Sequence, residues 1–92
     1  MKKSFSIKAK IWRWPGDGGW HFVTLDRKLS AKIRSVYTRG HVSVAVKVLH
    51  SSWNASLLWD SRDGVYILCI TKKVRQNEGL FAGDEIKVSV VI

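Results

Sequence analysis

Ninety-two residues and 10.5 kDa suffice for one domain, 1–92, and exclude a second. Hydrophobic residues make up 46 % of the chain and aromatics 11 %, enough apolar area to close a core, so a disordered chain is excluded. Cys69 is the only cysteine, which excludes a disulfide scaffold and a cysteine-based zinc site. Sixteen Lys and Arg against seven Asp and Glu give a formal charge of +9. Residues 1–46 carry ten basic and two acidic groups while residues 47–92 carry six and five, so a basic face is expected. Lys8 and Lys10 interrupt the apolar run that a secretory leader needs, and no stretch approaches the roughly 18 apolar residues of a membrane span. A cytoplasmic protein with no membrane contact is expected.

The first element is a strand from Phe5 to Trp14, with Phe5, Ile7, Ala9 and Ile11 on one side and Ser6, Lys8, Lys10 and Trp12 on the other. Pro15–Gly19 reads as a turn and Trp20–Leu25 as the returning strand of a hairpin. Asp26–Tyr37 spaces Leu29, Ile33 and Tyr37 for a short amphipathic helix. After Gly40, His41–His50 is a strand with Val42, Val44, Val46 and Val48 on one face, turned by Ser51-Ser52. Trp53–Trp59 and Val65–Lys72 form a second hairpin around Asp60–Gly64, where Asp-Gly favours positive φ. Val74–Leu80 makes one or two helical turns ending near Gly79, and Glu85–Ile92 is the last strand, with Ile86, Val88, Val90 and Ile92 inward. The expected fold is mainly β, a small closed or split barrel of about six to seven strands with one short helix.

Two segments share an order: an apolar strand, a basic cluster, a short helix, a glycine and an alternating strand. Phe22–Leu29 leads to Gly40 and Val42, while Ile67–Val74 leads to Gly83 and Ile86. Phe22 and Ile67 are 45 residues apart, and so are Leu25 and Ile70, with a shorter helix in the second copy. This reads as a weak internal duplication, with chance likeness between two strand–helix–strand units as the alternative. A barrel built from both copies in one chain implies a monomer.

Ile70–Arg75 followed by Glu78–Ile86 resembles the swapped-hairpin motif of AbrB-like regulators and antitoxins, which build a barrel from two chains. Ile11-Trp12 before the Gly-rich turn, Trp20–Val23, Trp53 with Ser56-Leu57, Tyr66–Leu68, Lys72 with Val74-Arg75, and Gly83-Asp84 together resemble a family over nearly the full length. That family is domain of unknown function nineteen-oh-five, with the AF-twenty-two-twelve-like barrel. The resemblance implies a barrel and no established activity, and some members carry the domain beside a bacteriocin-protection-type domain. The chain has Leu25-Asp26 and Leu68-Cys69 where members usually have Leu-Pro steps.

No spacing of His21, His41, His50, Asp84 and Ser56 marks a metal site or a hydrolase, so no enzyme, catalytic residue, metal or cofactor is expected. Gly16–Gly19 leads into a strand rather than a helix, which makes it a turn and not a phosphate loop. Gly83-Asp84 reads as a turn fixed by its own side chain, and Arg75 as a group that reaches a carboxylate such as Asp84 or an anionic ligand. Strand parity sets Trp12 and Trp14 on the same side as Lys8 and Lys10, a pairing that joins phosphate attraction to base stacking. The expected function is a binding module for nucleic acid or another polyanion, through Lys8, Lys10, Trp12, Arg13 and Trp14, helped by Arg39, Lys72, Lys73 and Arg75. Lys87, late in the chain, is expected far from that face. The alternative is a small-ligand or protein-interaction module with a pocket of Trp20, Trp53 and Ser56, the two tryptophans being shielded at the barrel ends.

Overall fold

Alternation governs the first strand. Along β1 (Ser4–Lys10) the side chains of Phe5, Ile7 and Ala9 are half-buried while Ser4, Ser6, Lys8 and Lys10 face solvent. The computed structural model describes residues 3–38 and 40–92. Past Ile11 the segment continues as β2 (Trp12–Arg13), and the glycines of the following turn take the positive φ values that only they adopt freely, 121° at Gly16 and 96° at Gly18. The chain returns as β3 (His21–Thr24) and enters α1 (Arg27–Val36), capped by Asp26, whose carboxylate accepts the Leu29 N–H at 2.6 Å. β4 (His41–Val48) buries every second residue and pairs antiparallel with β5 (Ser51–Asp60). β6 (Val65–Cys69), α2 (Lys72–Glu78) and β7 (Glu85–Val91) complete the chain.

Three expectations change. The turn between β4 and β5 is Leu49-His50, with Leu49 at φ 52°, and Ser51 and Ser52 already belong to β5, because Ser51 lies opposite Val48. The sixth strand stops at Cys69 instead of reaching Lys72, since the Thr71 hydroxyl accepts the Val74 N–H and starts a second helix two residues early. That helix ends at Glu78 because Gly79 takes the left-handed conformation, and the described residues hold two short helices rather than one.

The seven strands among the described residues form one antiparallel sheet in the order β1-β7-β4-β5-β6-β3-β2. Its two ends, β1 and β2, are one stretch of chain, so the sheet curls into a half-barrel whose edges are joined through residues 4–13. The core fills the inside with Ile11, Val23, Leu25, Ile33, the four valines of β4, Leu57, Tyr66, Leu68, Ile70, Val88 and Val90. No helix among the described residues is long and apolar enough to cross a membrane.

The duplication read from the sequence has a counterpart in the hydrogen bonds. Leu25 N–H donates to Tyr66 O, and Ile70 N–H donates to His21 O, both at 2.9 Å; each residue of the second bond lies 45 positions from its equivalent in the first. The same offset relates the two helix caps, Asp26 to Leu29 and Thr71 to Val74. It also relates two side-chain bonds to strand-end carbonyls, Ser30 Oγ to Leu25 O at 3.4 Å and Arg75 Nε to Ile70 O at 3.1 Å. Residues 4–48 and 51–91 are thus two ββαβ units, with β1 and β2 together taking the place of β5, and β3 pairs with β6 and β4 with β7 across a pseudo-two-fold.

Candidate functional site: an aromatic groove beside a basic cleft

β6 is apolar on both faces. Tyr66 and Leu68 point into the core, whereas Ile67 and Cys69 point outward beside Phe22 and Thr24 of β3. A strand with no polar face needs cover on both sides, and here the cover is aromatic. Trp12, Trp14 and Phe22 pack as a trio with ring centroids 5.2–5.9 Å apart, and the Trp12 indole N–H donates to Thr24 Oγ1 at 2.9 Å. Arg62 lies over the Trp14 ring at 4.4 Å and is held there by Asp60, whose two carboxylate oxygens accept Nε and Nη2 at 3.1 Å. These hydrogen bonds hold the Asp60 carboxyl below its ordinary range despite burial, and raise the Arg62 guanidinium in return.

The result is a groove of about 540 Å3 floored by Phe22, Ile67 and Leu58 and walled by Trp14, Trp20 and Arg62. Trp20 is 57 % exposed, because the Gly18-Gly19 turn carries it past the end of the sheet. Its other flank borders a cleft of about 240 Å3 lined by Gly18, Gly19, His21, Thr71, Lys72 and Arg75. Cys69, like Trp20, lines both spaces. Burial pushes its thiol up, only partly offset by the Arg75 charge.

A family model for a domain of unknown function, DUF1905, matches residues 8–90. The chain belongs to this family. No curated protein matches it.

Within this DUF1905 domain the sequence-predicted residues fall into separate groups. Trp12 and Trp14 are outside the barrel as parity required, yet both are half-buried by their mutual packing. Lys8 and Lys10 share that outer side but stand on β1, where Lys8 forms an ion pair with Glu85 at 3.1 Å. Lys87 is the cross-strand partner of Lys8, so it belongs to the same surface and not to a distant one. Arg13 is exposed and pairs across the hairpin with His21, next to the basic cleft. Lys72 and Arg75 line that cleft, while Lys73 is exposed on α2 without lining either space. Arg39 lies outside the described residues. Arg75 donates to Ile70 O rather than to Asp84, whose carboxylate instead accepts the Phe81 N–H at 2.8 Å.

Trp20, Trp53 and Ser56 do not line one pocket. Trp53 and Ser56 lie on β5 in two shallow surface spaces shared with β4 and Val91, and Trp20 is solvent-facing instead of shielded. The Trp53 indole N–H has no hydrogen-bond partner among the described residues. His21 begins β3, His41 begins β4 and His50 sits in the turn after it. Among the described residues no cluster of His, Cys, Asp and Glu is arranged to hold a metal ion. Phe22, Leu58, Arg62 and Ile67 were missed as site residues; the uninterrupted apolar run Val65–Ile70 was the available sign that β6 carries something on its outer face.

Proposed function

We propose that this domain is a non-enzymatic binding module for an anionic ligand that carries flat rings, single-stranded nucleic acid first. The observation that carries this is Trp20, one exposed indole shared by an apolar groove and a basic cleft. A base stacks on the open Trp20 face or enters the groove, and the adjoining phosphates meet Lys72, Arg75 and Arg13. Trp14 shapes the wall rather than stacking, since Arg62 already covers its ring. Lys72 and Lys73 support the reading on electrostatic grounds, because cations in the first turn of a helix oppose its dipole and weaken the fold, a cost consistent with a use elsewhere. The apolar lining of the groove favours a second reading, an uncharged ring-bearing small molecule bound there without the cleft.

Fluorescence anisotropy of a labelled oligothymidylate separates the two. Each phosphate contact contributes about 0.7 to the slope of log affinity against log salt, so three contacts give a slope near −2. Trp20→Ala weakens binding about tenfold and leaves the slope alone, whereas Lys72→Gln with Arg75→Gln flattens it. No binding at low salt, or full binding by Trp20→Ala, defeats the proposal.

A further inference from the structure

The two units differ in how the helix meets the first strand of its own unit. In the second unit α2 rests on β5, with Ser51 Oγ donating to Glu78 Oε2 at 2.7 Å. In the first, α1 stands off β1, and between them lies an open groove of about 620 Å3. Phe5, Ile7 and Leu29 give it apolar lining, and Lys8, Lys28 and Lys32 give it charge.

Two hydrogen bonds fix which backbone groups face this groove. Ile92 N–H donates to Lys3 O and Ile11 N–H to Asp84 O, both at 2.9 Å, so the odd-numbered residues of β1 direct their amides and carbonyls at β7. Antiparallel alternation then turns those of Ser4, Ser6 and Lys8 to the opposite edge. Among the described residues no strand pairs with that edge. The strand that would do so is β3, but its pairing with this segment ends at Trp12 opposite Phe22. The seam opens from there.

We propose that an extended acidic segment of a partner protein adds as a strand along Ser4–Lys8. Its amides and carbonyls complete the open edge, its apolar side chains enter at alternate positions toward Phe5, Ile7 and Leu29, and its carboxylates meet Lys28 and Lys32. Charge complementarity selects this occupant. Lys8 is already paired with Glu85, so the unsatisfied positive wall is Lys28 and Lys32, both exposed on α1. Asp26, the one acid lining the groove, is held by the Leu29 N–H as the helix cap. A second copy of this chain would bring the same lysine-bearing edge and a net charge of +9, so self-pairing is opposed. Nucleic acid has no peptide ladder to offer the edge. This surface is distinct from the Trp20 site and does not depend on it.

The test uses the full chain, labelled with nitrogen-15, and an acetylated, amidated heptapeptide that alternates Glu and Val. Amide exchange at Ser4, Ser6 and Lys8 should slow at least about tenfold on saturation, with no change at Trp14 or Trp20. Methylating alternate peptide nitrogens removes the ladder without touching the protein and should weaken binding about tenfold or more. Lys28→Glu with Lys32→Glu should do the same while the circular dichroism spectrum stays unchanged. The proposal is overturned by no binding at millimolar peptide, by equal binding of the methylated peptide, by protection that maps to the Trp20 surface, or by oligothymidylate protecting the same three amides.

Discussion

Residues 4–13 and 51–60 hold equivalent places in the two halves, yet they close the barrel differently. Leu57 and Leu58 of β5 are paired on both edges at once, with Val42 and His41 on one side and Leu68 and Ile67 on the other. The first segment has no such overlap, because its pairing with β7 ends at Lys10 and its pairing with β3 begins at Trp12. Ile11 spans the break, bonding to Asp84 O and Gly83 N–H. One topology can therefore carry a sealed seam and an open one, while the Trp20 groove and its basic cleft draw their lining from both halves.

The sharpest way to break this comparison is to remove side chains at each seam. Leu57→Ala, at a fully buried and doubly paired position, should cost about 2–5 kcal/mol by denaturant unfolding. Ile7→Ala, half-buried beside the open groove, should cost about 1–2 kcal/mol. Equal losses would mean that the groove closes in solution.

The helix anchors give a smaller contrast. Ser30 is fully buried and joins α1 to the sheet, accepting the Tyr66 N–H at 3.0 Å and donating to Leu25 O. Ser30→Ala leaves that amide buried and unpaired and should cost about 1–3 kcal/mol. Its equivalent Arg75 makes one bond in a partly solvated place, and Arg75→Met should cost about 0.5–1.5 kcal/mol. A reversed order in urea unfolding would undo the functional equivalence of the two anchors.

The smallest effect is acid sensitivity confined to the sealed half. Glu78 is held below its ordinary value of 4.5, first by the Ser51 hydroxyl and then by the His50 amide and ring. A depressed carboxyl stabilises the fold at pH values above 4.5, and that contribution disappears as pH falls through the lower folded value. Glu78→Gln should therefore lower the melting temperature at pH 7, and the gap to the parent protein should narrow toward pH 3. A constant gap across that range would remove the carboxylate as the cause.

Much of the fold was legible because period-2 burial writes itself into single strands. Val42, Val44, Val46 and Val48, like Ile86, Val88 and Val90, face inward as their alternation required, and Gly64 and Gly83 take the positive φ their turns required. The site was less legible for two reasons. Whether Lys8 is available depends on Glu85, distant in sequence and set beside it only by the β1–β7 register. The exposure of Trp20 depends on where a glycine turn releases the chain, which residue type alone does not report. Arg62 read as part of a turn, and only the folded hairpin brings it over Trp14. The 45-residue offset was visible in Phe22 and Ile67, but its strength lies in backbone bonds that leave little mark on side-chain identity.

Ser4 lies opposite Val91, and Ile92 N–H bonds to Lys3 O, much as Ser51 lies opposite Val48 across a two-residue turn. The β1–β7 corner and the β4–β5 corner therefore match in register. Bridging residues 92 and 3 with a short Gly-containing linker and cutting between Leu49 and His50 would reorder the polypeptide without disturbing a single strand neighbour. The cut would also release Leu49 from its left-handed backbone, so the permuted chain relieves a local strain that the natural connection imposes.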